Sequence, residues 1–310
     1  MRTAARLGLF GVGLVAVFGV AATAANAIVP AEAVTAWTQA AEDTTMQDHS
    51  TSSSTAVHTV SGLSVEESGY VLDEVTAPES ITTSGVLSFQ ILDPAGKPLS
   101  SYGVDHDKEL HLIVVRSDGA FFDHVHPTRD TGGVWSIPWV WQAGGSYRVY
   151  ADFQATDAAD PIDLTLSRTV QVAGDFTPVP VVAASTVEVD GFEVSVTGQL
   201  HAGESSDLVL SVNRDGSPVT SLEPYLGAFG HLVALRDGDL AYLHVHPEGD
   251  SPKQGDTAGP DVAFAATAPT AGTYLLFFDF QVDGQVHTAA LTLDAAPGAA
   301  GDSAEHGNDH

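Results

Sequence analysis

The sequence predicts an all-β protein made of two tandem sandwich-like domains, and three observations carry that prediction. Runs of β-branched and aromatic residues recur between turn signals every 8 to 12 positions, a spacing that argues for sandwiches or barrels rather than βαβ units. The two halves of the chain repeat one another at an offset of about 120 residues. No helical stripe of apolar residues occurs outside the N-terminal leader.

The elements follow in chain order. Arg2 and Arg6 precede an apolar run from Leu7 to Ala22, and Ala25-Asn26-Ala27 supplies small residues at a cleavage position. Residues 1–27 are therefore expected to be a signal peptide or, if uncleaved, a membrane anchor. Residues 28–57 are rich in Ala, Thr, Ser, Asp and Glu without periodicity, and read as a flexible stalk. The first β domain is placed at 58–175, with strands such as Gly85–Leu92, Leu110–Arg116, Val134–Trp141 and Ser146–Phe153. The Pro-containing stretch from Phe176 to Val182 is the joint. The second domain, 178–295, carries Thr186–Thr197, Asp207–Val212, His231–Arg236 and Thr273–Phe280, and residues 296–310 read as a disordered tail.

The repeat is specific in its residues. His111-Leu112 falls on His231-Leu232, Arg116 on Arg236, and His124-Val125-His126-Pro127 on His244-Val245-His246-Pro247. After seven extra residues in the second copy, Asp152-Phe153-Gln154 matches Asp279-Phe280-Gln281.

Each copy thus holds one histidine, then twelve residues, then His-x-His-Pro. Side chains two apart on a strand share a face, and a hairpin brings the partner strand within about 5 Å, so three imidazoles can converge. In the second copy an Asp237-Gly238 turn would set His231 opposite His244. In the first, turns at Ser117-Asp118 or Asp118-Gly119 set His111 opposite His124 or His126. Neutral imidazoles at such spacing suit copper(II), zinc or nickel. The candidate metal ligands are His111, His124 and His126, and His231, His244 and His246. Histidines that hydrogen-bond neighbouring Tyr and Asp residues as structural clusters are the competing reading.

Weaker candidates are His106, as a fourth ligand to the first site, and Asp152 and Asp279, as ligands or as carboxylates orienting an imidazole. His287 has no counterpart in the first copy. Met46, Asp48 and His49 in the stalk and His306 and His310 in the tail read as solvated linker. The recurring Arg116 and Arg236 read as salt-bridge partners.

Eleven basic residues stand against forty acidic ones, a net charge of −29. That field repels nucleic acid and attracts cations, so nucleic-acid partners are excluded. With no cysteine in the chain, a metal site must use nitrogen and oxygen. No EF-hand loop, nucleophile elbow, His-Glu-x-x-His or phosphate loop is present.

The blocks His106-Asp-Lys-Glu-Leu-His111-Leu-Ile-Val-Val-Arg116, His124-Val-His126-Pro127 and Tyr147-Arg-Val-Tyr-Ala-Asp152-Phe bring a resemblance to notice. So does Leu222-Glu-Pro-Tyr225-Leu-Gly-Ala-Phe-Gly-His231-Leu through His246-Pro247-Glu-Gly. They resemble bacterial, actinobacterial-type, secreted or membrane-anchored proteins, some labelled heavy-metal-binding. The resemblance implies an immunoglobulin-like sandwich fold and no catalytic activity. The functional expectation is an extracytoplasmic, non-enzymatic protein of the cell envelope that binds a transition metal, copper ahead of zinc or nickel. Its partners would be the ion and a metal transporter or another envelope protein, and only the N-terminal segment would touch a membrane. The alternatives are a structural or interaction module of the cell surface and, third, a three-histidine metalloenzyme.

Overall fold

A computed structural model describes residues 60–298 apart from His244 and Gln254. The expected leader, the stalk with Met46, Asp48 and His49, and the tail histidines His306 and His310 lie outside the described residues.

Among the described residues the chain contains strands, turns and no helix. The first repeat contributes β1 (Glu66–Glu67), β2 (Tyr70–Leu72), β3 (Gly85–Leu92), β4 (His111–Arg116), β5 (Asp123–Val125), β6 (Thr128–Arg129), β7 (Val134–Trp139), β8 (Gly145–Ala155) and β9 (Ile162–Val172). They form two sheets, ordered β1-β2-β3-β7-β6 and β5-β4-β8-β9. Trp135, Trp141, Phe89, Leu112, Val149 and Leu166 fill the space between those sheets.

The second repeat contributes β10 (Thr186–Val189), β11 (Phe192–Gly198), β12 (Leu200–His201), β13 (Ser205–Arg214), β14 (Ser217–Pro218) and β15 (His231–Arg236). β16 (Tyr242–Leu243), β17 (Val245–Pro247), β18 (Asp261–Thr267), β19 (Gly272–Val282) and β20 (Gln285–Ala296) follow. Its sheets run β10-β11-β13-β18-β17, with β14 on β13, and β12-β20-β19-β15-β16. Phe192, Leu210, Phe264, Leu276, Phe278 and Leu291 are among its core. The expected single strand Thr186–Thr197 is two strands, because Asp190 and Gly191 turn the chain with φ of 49° and 82°. Such angles suit a hairpin.

Both repeats carry the mark of immunoglobulin-like sandwiches in which a tyrosine ties a corner to backbone upstream. The Tyr147 hydroxyl donates to the Ala143 carbonyl at 2.9 Å, and the Tyr274 hydroxyl to the Thr270 carbonyl at 2.9 Å.

The described residues belong to one compact unit, and a third apolar cluster joins the repeats. Strands β4 and β15 explain how. Alternate residues of a strand face opposite sides. Leu112 and Val114 point into the first core, while Ile113 and Val115 point out of it. Leu232 and Ala234 point into the second core, while Val233 and Leu235 point out. The outward sets meet one another, so both strands are buried on both faces, which accounts for their nearly unbroken apolar sequences. Phe122 stacks on Phe277 with centroids 3.9 Å apart, and Tyr150 lies 5.9 Å from Tyr242. The repeat maps Phe122 to Tyr242 and Tyr150 to Phe277, so the joint is a contact between equivalent surfaces, as in a twofold dimer.

A candidate metal centre between the repeats

The outward faces of β4 and β15 each begin with a histidine, and these two residues bring the candidate site to the joint. His111 opens β4 opposite Asp152 of β8, and His231 opens β15 opposite Asp279 of β19. Both imidazoles are buried, His111 at 6% and His231 at 7% exposure. Their rings stack with centroids 6.1 Å apart.

In the first repeat Ile113 faces His124 and Leu112 faces Val125, so counting outward puts His111 opposite His126. This is the Asp118-Gly119 alternative. Pro127 then ends the pairing, and Thr128 joins the other sheet through Ser136. One ligand atom from each of His111, His124 and His126 lies within 4.8 Å of the others. His111 Nδ1 is 3.0 Å from His124 Nε2 and 3.1 Å from His126 Nε2.

The outer nitrogens fix the tautomers. His111 Nε2 lies 3.2 Å from the Asp105 carbonyl, which only accepts, so that nitrogen carries the proton. His124 Nδ1 lies 2.8 Å from the Asp279 carboxylate and likewise donates. In the neutral rings, His111 Nδ1 and His124 Nε2 are therefore both lone pairs, aimed at each other across 3.0 Å. A cation or a proton between these nitrogens makes the contact favourable, and a neutral His126 carrying its proton on Nε2 can also donate to His111 Nδ1. Burial, then the charge of His124, pushes the His111 pKa down to about 4. Burial, then the charges of His124 and His111, pushes His126 down to about 2. Protonation of His111 and His126 near neutral pH is thus disfavoured, and the three rings form a group that could hold a metal ion. Metal–nitrogen bonds of about 2.0–2.1 Å put ligand nitrogens about 2.9 Å apart at right angles and about 3.4 Å apart in a tetrahedron. The separations of 3.0 and 3.1 Å lie between those limits.

Asp279 belongs to the second repeat, so the imidazole of one repeat is oriented by a carboxylate of the other. Thr288 donates to its second oxygen at 2.5 Å and fixes it in turn. Asp152, the equivalent carboxylate, accepts from Thr165 at 2.7 Å and from Tyr242 of the second repeat at 3.3 Å.

His106 sits in a two-residue turn with Asp107, at φ of 46° and 61°, closed by reciprocal bonds between Asp105 and Lys108. It is not brought into the three-histidine group. Its ring is 4.6 Å from that of His231, and its Nδ1 is 3.2 Å from the Asp105 carboxylate. The bond to Asp105 raises the His106 pKa against the opposing effect of burial. His231 Nε2 donates to the Leu226 carbonyl at 3.0 Å, and burial, then the charge of His106, lowers its pKa to about 3.

Among the described residues no group of potential ligands forms within the second copy. Its hairpin does not close at Asp237-Gly238. Ala234 faces Leu243 and Leu235 faces Tyr242, which puts His231 opposite His246 by count, not opposite His244. The loop runs from Asp237 to Leu240: Arg236 accepts the Leu240 amide, Leu240 takes φ of 57°, and the Arg236 guanidinium grips Asp239. Beyond Leu243 the chain changes sheets, so His246 pairs with Ala265 of β18 and stands exposed. His244 lies outside the described residues. His231 lies beside the first repeat's histidines, its ring 6.1 Å from His124, without belonging to their group of ligand atoms. His287 is elsewhere: it bonds Asp190 at 2.8 Å and packs on Phe192 and Phe280, on the opposite face of β20 from Thr288. A cleft of about 190 Å³, lined by Asp105, His106, His111, His124, His231 and His246 among others, leads to the group.

Sequence reasoning missed Asp105 and the approach of His231 to the first triad. The signal was present in the two apolar runs after His111 and His231, which are too continuous for strands with one wet face.

A family model described as a domain of unknown function, DUF8832, matches residues 66–172 and again 186–297. That description carries no metal-binding label. No curated protein matches the chain. Among solved structures the chain is similar to Yersinia pseudotuberculosis InvD, at 10% identity over 74% of this chain and 58% of that one, with a TM-score of 0.22. It is similar to invasin, a bacterial integrin-binding protein, at 14% identity over 73% of this chain and 39% of that one, TM-score 0.22. It is also similar to fibronectin(III)-like modules of Clostridium thermocellum CbhA, at 10% identity over 78% and 99%, TM-score 0.19.

Proposed function

The chain belongs to the DUF8832 family, whose domain it carries twice, and we propose that its joined repeats form a non-enzymatic module of the cell envelope that holds a transition-metal ion at their seam. One observation supports this reading above the rest: the facing lone pairs of His111 and His124, whose other ring nitrogens are committed to Asp105 and Asp279. His126 completes a three-imidazole face. Copper(II) is the favoured ion, because nitrogen donors bind it ahead of zinc or nickel on the Irving–Williams order. The acidic chain, at −29, raises the local cation concentration without making the site. The extracytoplasmic location rests on the N-terminal leader sequence, and a transporter or another envelope protein is the proposed exchange partner for the ion.

A second reading has its own observation. The His124–Asp279 and His231–Leu226 bonds tie polar groups within and between the repeats without any ion. On that reading the histidines serve the joint, and the protein is a structural or interaction module of the cell surface.

Calorimetric titration of the full chain with Cu(II), backed by elemental analysis, separates the two. The metal reading expects at least one stoichiometric equivalent, and one that disappears in a folded His124→Ala/His126→Ala variant. The absence of any such equivalent, with Zn(II) and Ni(II) equally silent, leaves the structural module.

A further inference from the structure

His111 belongs to two groups of potential ligands at once. Its Nδ1 faces His124 and His126, and its Nε2 faces the turn that carries Asp105 and His106. Ligand atoms of Asp105, His106 and His111 lie within 4.8 Å of one another, as those of the three-histidine group do. We propose that the cleft takes a second divalent ion between Asp105, His106 and His111, with the His111 ring bridging the two ions through its two nitrogens. This rests on the metal reading above, since a bridge requires the first ion.

Several features support the second site. The bond from His111 Nε2 to the Asp105 carbonyl is 3.2 Å, at the long end for N–H···O, so little is lost in displacing it. The turn holds His106 by backbone geometry, and the Asp105 carboxylate, 63% exposed, already lies 3.2 Å from His106 Nδ1. His231 supplies a fourth donor from the other repeat. Its ring is 4.6 Å from that of His106, and with Nε2 committed to Leu226 its remaining nitrogen, Nδ1, is an acceptor. The site opens on the cleft, which gives an entry path.

The charges and protons balance. On binding the second ion, His111 Nε2 gives its proton to solvent, and the electron pair left behind forms the second metal–nitrogen bond. The bridging imidazolate, Asp105 and Asp279 then offset three of the four positive charges. Two ions in one seam, held by both repeats, would fix the repeats against each other more firmly than either ion alone.

The test uses the full chain, Cu(II) in a non-chelating buffer, and an Asp105→Ala/His106→Gly variant. Glycine suits the left-handed turn position, and a thermal melt confirms folding; Asp105→Asn alone serves if the double variant melts early. The expected result is one more equivalent of copper in the parent than in the variant, with one proton released per second ion. The copper electron-spin signal of the two-ion form should integrate to well under two spins, because the imidazolate couples them, and the variant should recover one full spin per copper. Equal stoichiometry in parent and variant overturns the second site while leaving the first. Two coppers with full uncoupled intensity overturn the bridge. No copper bound by the parent sinks both this inference and the metal reading.

Discussion

Acidification is expected to destabilise the metal-free protein, and the joint sets the size of the effect. His111 and His231 are buried neutral in the fold, with pKa values lowered to about 4 and about 3 by desolvation first and by neighbouring histidines next. In the unfolded chain each returns to about 6.5. A histidine of lowered pKa leaves stability untouched above its unfolded value. Below that value the unfolded chain binds the proton the fold refuses, so stability falls with pH until the folded value is reached. At pH 5 each residue therefore costs about 2 kcal/mol relative to pH 7, and the pair about 4. Asp123 acts the other way, because burial raises its pKa to about 6 and protonation relieves the penalty as pH falls. Its half-buried position limits that relief to about 1 kcal/mol. The partly exposed His106–Asp105 pair adds a smaller opposing share, since a raised histidine contributes its stability at low pH and loses it as pH rises. His126, whose pKa burial lowers to about 2, adds about 1 kcal/mol to the loss after allowance for its partial exposure. The net loss is about 4 kcal/mol, a shift of roughly 8–16 °C in melting temperature for a unit of this size. Melting by circular dichroism at pH 7, 6 and 5 in the presence of a chelator measures it. A fall below about 2 °C refutes the reasoning, as does an equal fall in a His111→Gln/His231→Gln variant.

Two further expectations concern the scaffold. Arg116 is sunk to 2% side-chain exposure against Asp118, whereas its repeat partner Arg236 is 19% exposed against Asp239; in urea titrations Asp118→Ala should cost about 3–5 kcal/mol and Asp239→Ala about 1 or less. Phe277, 4% exposed and stacked on Phe122, should cost about 3–5 kcal/mol when changed to Ala and split the single unfolding transition into two; one transition at the parental midpoint would show that the joint does not couple the repeats.

The fold was legible because its signals are local. Alternating side chains and turn residues marked most strands within two residues, and Gly85–Leu92 and His231–Arg236 fall where the pattern sets them. The Asp190-Gly191 break was visible only as a turn dipeptide inside a longer apolar run. What a local pattern does not encode is which surface of a finished sandwich meets another. Val115 and Leu235 read as ordinary core residues, although they face away from their own cores.

The site shows the same limit more sharply, because two copies of one motif do different things. Both hairpins adopt the same register, His111 opposite His126 and His231 opposite His246, and for a single sandwich that equality would produce two equal triads. The path after the hairpin breaks the equality. In the first repeat the strand stays beside β4 through Val125 and changes sheets only after Pro127, which holds His124 and His126 at the seam. In the second, Val245 already pairs with Ala266 on the other sheet, and His246 is exposed beside Ala265. The seam is near-twofold in its apolar centre and asymmetric at its polar end, and that asymmetry lets His231 approach the first triad and Asp279 orient His124. A duplicated chain with two equal triads would place any ion inside each repeat; an ion on the group proposed above would sit between them, where binding and the packing of the repeats become one equilibrium.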